Sequence, residues 1–254
     1  MRNSPGTTSL AYRLLLTRGE DAKVPTGRPS APWHNAVLTT RRERDDAFAQ
    51  VKRLGLPVVS DSSKNWDTLA ALDCILSSTS TSAKILDAGA EIYSRILPWL
   101  FLYGYTNLDG INISFRDRKS FGPITYKHGD VTSTDYAPET FDAIACLSVI
   151  EHGVDLSDYF KEAARILKPE GLLVTSTDYW QTPIDTRGQQ MYGVPVHIFT
   201  PEQIEQAIAL AARHGLVLTS KIDLSCNEKV VHSRAMDLDY TFVIFTLRKS
   251  ARRR

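Results

Sequence analysis

The sequence predicts an α/β fold built on a doubly wound, mostly parallel sheet. From residue 84 onward, short apolar runs of strand length alternate with amphipathic stretches of helical length. Turn-forming residues follow two of these runs, at Asp87-Ala88-Gly89 and at His128-Gly129-Asp130. The chain has 254 residues, of which 43% are hydrophobic and 23% charged, so it can bury a substantial core. Such sheets bind ligands beyond the carboxyl ends of their strands, where we expect the functional residues.

Residues 1–64 are predicted to form an N-terminal arm and helical cap, and residues 65–254 the main domain. Residues 1–35 contain several prolines and glycines and few periodic apolar positions, which is typical of a loop. Residues 39–54 and 67–76 carry apolar side chains at helical spacing, so each range is predicted to be a helix.

The rest of the chain supplies the sheet and its crossover helices. Strands are predicted at residues 84–86, 106–113, 124–127, 141–147, 171–177, 216–224 and 240–247. Helices are predicted at residues 92–103, 156–167 and 201–214. Thr200 and Pro201 are start signals for the last helix, and Gly215 is a stop signal.

Composition excludes several classes of protein. The formal net charge is +1, whereas proteins that bind the nucleic-acid backbone usually carry a basic excess or a basic patch. The three cysteines are far apart and form no CxxC pair, so neither a disulfide framework nor a metal site is expected. No apolar run has the length of a membrane span and no signal peptide is evident, so we expect a cytoplasmic protein.

The turn after the first strand carries the first candidate binding motif. Of the dinucleotide pattern GxGxxG, only Gly89 fits, because Glu91 and Ser94 stand at the other glycine positions. The pattern D/E-x-G-x-G-x-G fits at Asp87 and Gly89, but Glu91 and Tyr93 replace its later glycines. A glycine here lets the backbone turn sharply and approach a ligand.

Two polar residues follow the next strands. Asn112 stands where a ribose-binding acid is expected, although its amide carries no charge. Asp130 follows the third strand, where a carboxylate could contact an adenine edge. It could equally be a turn residue that caps its own backbone, and the sequence leaves both interpretations open.

Three further segments, together with the turn after the first strand, Asn112 and Asp130, form an ordered set of motifs that resembles a known family. They are Phe141-Asp142 before a strand, Glu151-His152 after it, and Arg165-x-Leu167-Lys168-Pro169-x-Gly171 at the next helix–strand junction. Together they resemble the class I S-adenosylmethionine-dependent methyltransferases, in their small-molecule branch, over residues 84–177. The resemblance implies a seven-stranded sheet whose last strand is antiparallel and lies between its neighbour and the fifth strand.

The resemblance also implies which residues bind S-adenosylmethionine. The loop after the first strand would lie beside the methionine portion, Asn112 would meet the ribose, and Asp130 with Val131 would meet the adenine. The implied cofactor-binding set is Asp87, Ala88, Gly89, Glu91, Asn112, Asp130, Val131, Leu147 and Ser148.

The chemistry expected of this family is methyl transfer to a small molecule, and the sequence suggests a hydroxyl of a carbohydrate or secondary metabolite. A hydroxyl acceptor benefits from a general base, and histidine has a suitable pKa. His152 follows the fourth strand, and His197 follows a long, aromatic-rich connection that could cover the substrate. Either histidine could instead be a packing residue.

The sequence leaves two other functional interpretations open. Glu91, Tyr93 and Asn112 depart from the family pattern, which would suit a non-catalytic binding or scaffold protein on the same fold. A nicotinamide-dependent oxidoreductase ranks last, because the glycine pattern fails and no Tyr-x-x-x-Lys pair is present. The sequence predicts no membrane or nucleic-acid partner and leaves the oligomeric state unknown.

Overall fold

The structure is a computed structural model that describes residues 25–251, so the arm at residues 1–24 and the three C-terminal arginines lie outside the described residues. Its helices are α1 (Arg41–Arg53), α2 (Lys64–Ser78), α3 (Ile96–Leu102), α4 (Leu156–Ile166) and α5 (Pro201–Arg213). None of the helices within residues 25–251 is long and apolar enough to cross a membrane.

The strands fall into a large sheet and a small hairpin. The sheet consists of β1 (Ala36–Val37), β2 (Lys84–Ala88), β3 (Asn107–Asn112), β4 (Lys119–Phe121), β5 (Ile124–His128), β6 (Phe141–Leu147), β7 (Leu167–Tyr179), β10 (Leu216–Leu218), β11 (Val231–Ser233) and β12 (Leu238–Lys249). The hairpin consists of β8 (Gln190–Met191) and β9 (Val194–Pro195).

The large sheet has the predicted topology. Its main order is β1-β12-β7-β6-β2-β3-β5-β4, and β10 and β11 also pair with β12. β5, β3, β2, β6 and β7 run parallel. β12 is antiparallel to β7 on one side and to β10 and β1 on the other, which confirms the interior, antiparallel last strand. The seven predicted strands are extended by three short ones, β1, β4 and β11.

Helices cover both faces of the sheet, because successive strand side chains point to opposite faces. On β7, Leu172 and Val174 join the cluster that includes α1, α2 and α3, whereas Leu173 joins the cluster of α4 and α5. β12 is buried along both of its faces from Tyr240 to Leu247, as an interior strand should be.

Some element boundaries differ from those predicted. The helix expected at residues 92–103 begins only at Ile96, so Pro98 lies within its first turn, where a missing N–H costs nothing. β7 begins at Leu167, four residues before the strand predicted at residues 171–177, and its pairing with β6 is irregular there, since Leu167 pairs with Phe141 and Leu172 with Ala143. The strand expected at residues 216–224 ends at Leu218.

The segment before α2 is joined closely to the rest of the structure. β1 pairs with β12, and the indole of Trp33 stacks on Trp66 of α2 with ring centroids 6.3 Å apart. The division into residues 1–64 and 65–254 stays a prediction.

Candidate active site

The loops after β2, β3 and β6 meet at one edge of the sheet, because these three parallel strands are neighbours. The backbone N–H groups of Gly89 and Ala90 both donate to the carbonyl of Ile111 at 2.9 Å, which ties the first loop to the end of β3. The edge therefore brings Gly89, Asn112 and Ser148 into one region, as the sequence predicts.

Gly89 is required at its position for two reasons. Its φ of +88° lies in the left-handed region. A Cβ atom there would stand 2.3 Å from Cγ2 of Val149, which follows β6. The loop after β2 thus packs directly on the loop after β6.

Asp87, near the end of β2, has a buried carboxyl group whose hydrogen-bonding capacity is only partly satisfied. Only 4% of the residue is exposed, and its Oδ2 atom has no hydrogen-bond partner among the described residues. Burial, with a smaller contribution from Glu91, raises the pKa of its carboxyl to about 7. A buried polar atom with no protein partner is a typical feature of a site that takes a ligand or does chemistry.

Asn112, the last residue of β3, contacts Glu91 in the loop after β2. The Asn112 amide donates to the carbonyl of Ala90 at 3.0 Å and to Oε1 of Glu91 at 3.4 Å, and its Oδ1 accepts from the N–H of Ser114 at 2.8 Å. The φ of Glu91 is negative, so replacing glycine there causes no left-handed strain. Asn112 thus fixes the loop, and its contact with a ribose stays a prediction.

Asp130 makes the turn-capping contacts that the sequence left open. Its Oδ1 accepts from the N–H of Thr132 at 2.8 Å and from the hydroxyl of Thr132 at 2.7 Å. Val131 lines a small cavity beside α4, together with Ala88 and Ile111. Val131 therefore lies beside the ends of β2 and β3, and the contacts of Asp130 and Val131 with an adenine stay a prediction.

Leu147 and Ser148 form the end of β6. Leu147 packs against the core cluster that contains α2 and α3. Ser148 has a φ of +53°, and its N–H donates to the carbonyl of Ser176 at 3.0 Å. Its buried Oγ is close enough to the carboxyl of Glu151 to lower the pKa of that group, although the contact falls short of normal hydrogen-bond geometry. Left-handed backbone at a residue other than glycine is a form of strain that clusters at functional sites.

His152 lies in the loop that follows β6, four residues after Ser148. Its Nδ1 is buried and has no hydrogen-bond partner within residues 25–251. Burial lowers its pKa, and the positive charge of Lys64 lowers it further. The ring stands edge-on to the ring of Tyr192, with centroids 5.2 Å apart.

His197 is close to this loop only through its backbone. Its N–H donates to the carbonyl of Glu151 at 3.0 Å. Its ring packs on Phe199, and its Nε2 contacts Oε1 of Gln203 in α5 at 3.0 Å. The structure therefore does not bring its ring together with His152.

Sequence reasoning missed a buried charged group beside His152, made of Lys64, Asp67, Glu151 and Asp178 and called here the Lys64 cluster. Lys64 Nζ stands 3.2 Å from Oδ2 of Asp67, which also accepts from the hydroxyl of Ser176 at 2.7 Å. Three carboxyls face one ammonium, yet within residues 25–251 no three acidic, histidine or cysteine side chains are arranged to hold a metal ion.

Two carboxyls of the Lys64 cluster, those of Glu151 and Asp178, have raised pKa values. Burial raises the pKa of Glu151, although Lys64 opposes this shift. Burial and the neighbouring Glu151 raise the pKa of Asp178 well above its usual value. The signal was present in the sequence as acids at the ends of two neighbouring strands, but their meeting with Lys64 depends on how α2 packs.

The fold is a mostly parallel α/β sheet, and proteins of this class bind ligands beyond the carboxyl ends of their strands, at the edge described above. Residues 86–175 match a family model described as a methyltransferase domain. This match supports the resemblance to the class I S-adenosylmethionine-dependent methyltransferases over that part of the chain. No curated protein sequence matches the chain.

Solved structures agree on the fold. A methyltransferase from Mesorhizobium loti is 16% identical with a TM-score of 0.52, over 72% of this chain and 97% of that one. Geranyl diphosphate C-methyltransferase from Streptomyces coelicolor is 15% identical with a TM-score of 0.56, over 97% and 99%. Phosphoethanolamine N-methyltransferase 2 from Haemonchus contortus is 16% identical with a TM-score of 0.57, over 83% and 58%.

The chemistry of the residues at this edge suits S-adenosylmethionine, the cofactor of the family that the sequence resembles. Asp87 and His152 each present a buried polar atom that has no hydrogen-bond partner among the described residues. Gly89 keeps its loop close to the β6 loop, where any side chain would collide. Asp87 and Glu91 supply acids suited to an ammonium group, and Ser148 supplies a hydroxyl.

Proposed function

We propose that this protein transfers a methyl group to a hydroxyl of a small molecule, a carbohydrate or secondary metabolite, and that His152 accepts the proton. S-adenosylmethionine supplies an electrophilic methyl group when bound. The observation that carries the proposal is the state of His152, whose buried Nδ1 has no hydrogen-bond partner in the described structure.

Burial and Lys64 suit His152 to act as a base. Both lower its pKa, so the ring is neutral near pH 7 and can accept a proton. An unpartnered, buried ring nitrogen is costly for stability, and a hydroxyl brought to it would remove that cost. His197 is the weaker candidate, because its ring is already bonded to Gln203.

The test measures methyl transfer from labelled S-adenosylmethionine to a panel of sugars and phenols in His152→Ala and His197→Ala. General-base catalysis contributes about 10²–10⁴-fold, so His152→Ala should lower kcat by that factor. Its affinity for S-adenosylhomocysteine should change little, and His197→Ala should retain most of the rate. A His152→Ala enzyme with an undiminished kcat would show that the base lies elsewhere.

A second acceptor class, an amine, is favoured by the Lys64 cluster. It has three buried carboxyls and one ammonium, and a cationic amine brought beside Glu151 and Asp178 would favour their ionised forms over the neutral forms that burial favours. Methyl glucoside and its 2-amino analogue, compared in one assay, separate the two acceptor classes. Preference for the amine, lost in Glu151→Gln, would replace the hydroxyl acceptor with an amine.

The remaining expectations are also part of this proposal. A small acceptor is supported by the near-neutral charge of the chain, which does not suit a nucleic-acid backbone. A cytoplasmic location is supported by Cys74, Cys146 and Cys226, all of which are free and buried.

A further inference from the structure

The hairpin of β8 and β9 carries an exposed tyrosine on a strained backbone at its tip. Tyr192 and Gly193 form its two-residue turn, with φ angles of +56° and +82°. Such turns prefer asparagine or glycine at both positions, because a bulky side chain disfavours the left-handed region. Tyr192 is also 70% exposed, so burial of its ring does not explain its presence.

Tyr192 contacts the two loops on either side of the cofactor region. Its ring lies against that of His152, in the loop after β6. Its hydroxyl stands 3.5 Å from that of Tyr93, in the loop after β2. Tyr93 is itself 60% exposed, and it occupies the last glycine position of the family pattern. Three aromatic rings from three separate segments thus gather at this edge.

The base of the hairpin is fixed more firmly than its tip. The N–H of Val196 donates to the carbonyl of Gln189 at 3.1 Å, and the Gln189 amide donates to the carbonyl of Met236 at 3.0 Å. The tip itself is held by one ring contact and one long hydroxyl contact. This arrangement positions Tyr192 while leaving its ring available to a ligand.

We propose that Tyr93, His152 and Tyr192 form an aromatic cage for the sulfonium cation of S-adenosylmethionine. Aromatic faces attract cations that carry alkyl groups, and the sulfonium is such a cation. S-adenosylhomocysteine has a neutral thioether in its place and gains no such attraction. The cage therefore favours the substrate form of the cofactor over its product, whichever acceptor is methylated.

The decisive variant is Tyr192→Asn, because asparagine adopts left-handed backbone readily and so preserves the turn while removing the ring. Tyr192→Phe keeps the ring and removes the hydroxyl, and Tyr192→Leu is a second ring-free variant. Val217→Asn, at an exposed apolar residue of β10, is the matched control. Calorimetric titrations with S-adenosylmethionine and S-adenosylhomocysteine give both affinities without any methyl acceptor.

Tyr192→Asn and Tyr192→Leu should weaken S-adenosylmethionine binding by about 2- to 30-fold, the range of a cation over an aromatic face, and leave S-adenosylhomocysteine binding unchanged. Tyr192→Phe should keep the preference for the charged form, and Val217→Asn should affect neither ligand. Equal weakening of both ligands, or no change in either, would overturn the cage. Failure of the hydroxyl assay would not affect this result.

Discussion

The unpartnered carboxyl of Asp87 should make the stability of the protein depend on pH in a particular direction. Its pKa is about 7 in the folded protein, against the ordinary value of 3.8. The folded state therefore holds this proton more tightly than the unfolded state does. The free energy of unfolding should fall as pH rises from about 4 to about 7, because over that range the unfolded state releases the proton while the folded state keeps it.

The magnitude follows from the shift in pKa. A change from 3.8 to about 7 corresponds to about 4 kcal/mol once the pH is well above both values. Between pH 5 and pH 8 the contribution of Asp87 to the free energy of unfolding falls by about 3 kcal/mol. Asp87→Asn removes the ionisation, so the variant should lack that part of the loss.

The assay is urea unfolding of the native protein and of Asp87→Asn at pH 5 and pH 8, without cofactor. Other carboxyls also titrate, so the informative quantity is the difference between the two proteins in their change of stability with pH. Asp46→Asn, at a largely exposed carboxyl of α1, is the matched control and should behave as the native protein. Equal pH dependence in Asp87→Asn and the native protein would refute the reasoning.

Two further predictions concern the loop after β2. Gly89→Ala should lower the melting temperature and weaken S-adenosylhomocysteine binding, because its Cβ would collide with Val149 and its φ is positive. Val149→Ala added to it should recover only part of the loss, since the backbone strain of about 1–2 kcal/mol remains, and full recovery would contradict this account. Glu91→Gly should weaken the binding of S-adenosylmethionine and S-adenosylhomocysteine alike, because both carry the ammonium group that we expect the Glu91 carboxylate to attract. Tighter binding of the variant in calorimetric titrations would show instead that Glu91 repels the carboxylate of the ligand.

Local signals in the sequence determined those parts of the structure that were predicted well. Thr200, Pro201 and Gly215 gave the bounds of α5 to within a residue, because caps act through neighbouring backbone groups. The early start of β7 was missed, since it depends on irregular pairing between Leu167 and Phe141 of a neighbouring strand.

The candidate site likewise contains residues that local sequence signals predict and residues that only tertiary packing brings there. Gly89 and His152 were identified because they follow strands directly, where this fold binds ligands. Lys64 was not identified, and Tyr192 was expected only as part of the aromatic-rich connection that could cover the substrate, because α2 and the β8–β9 hairpin reach the strand ends only through tertiary packing. No periodicity or turn signal in a single sequence contains that information.

The interior position of β12 has a consequence for how the chain acquires its structure. β1 and β12 pair Val37 with Val243, so residues near opposite ends of the described chain must meet before that edge of the sheet is complete. β7 likewise has no partner on its β12 side until residues 241–248 are available, although it follows β6 directly in the sheet. Pairings over such separations form slowly, because a long loop must close before any contact compensates. During synthesis, the backbone N–H and C=O groups on that edge of β7 therefore stay unpaired with β12 until nearly the whole described chain has emerged.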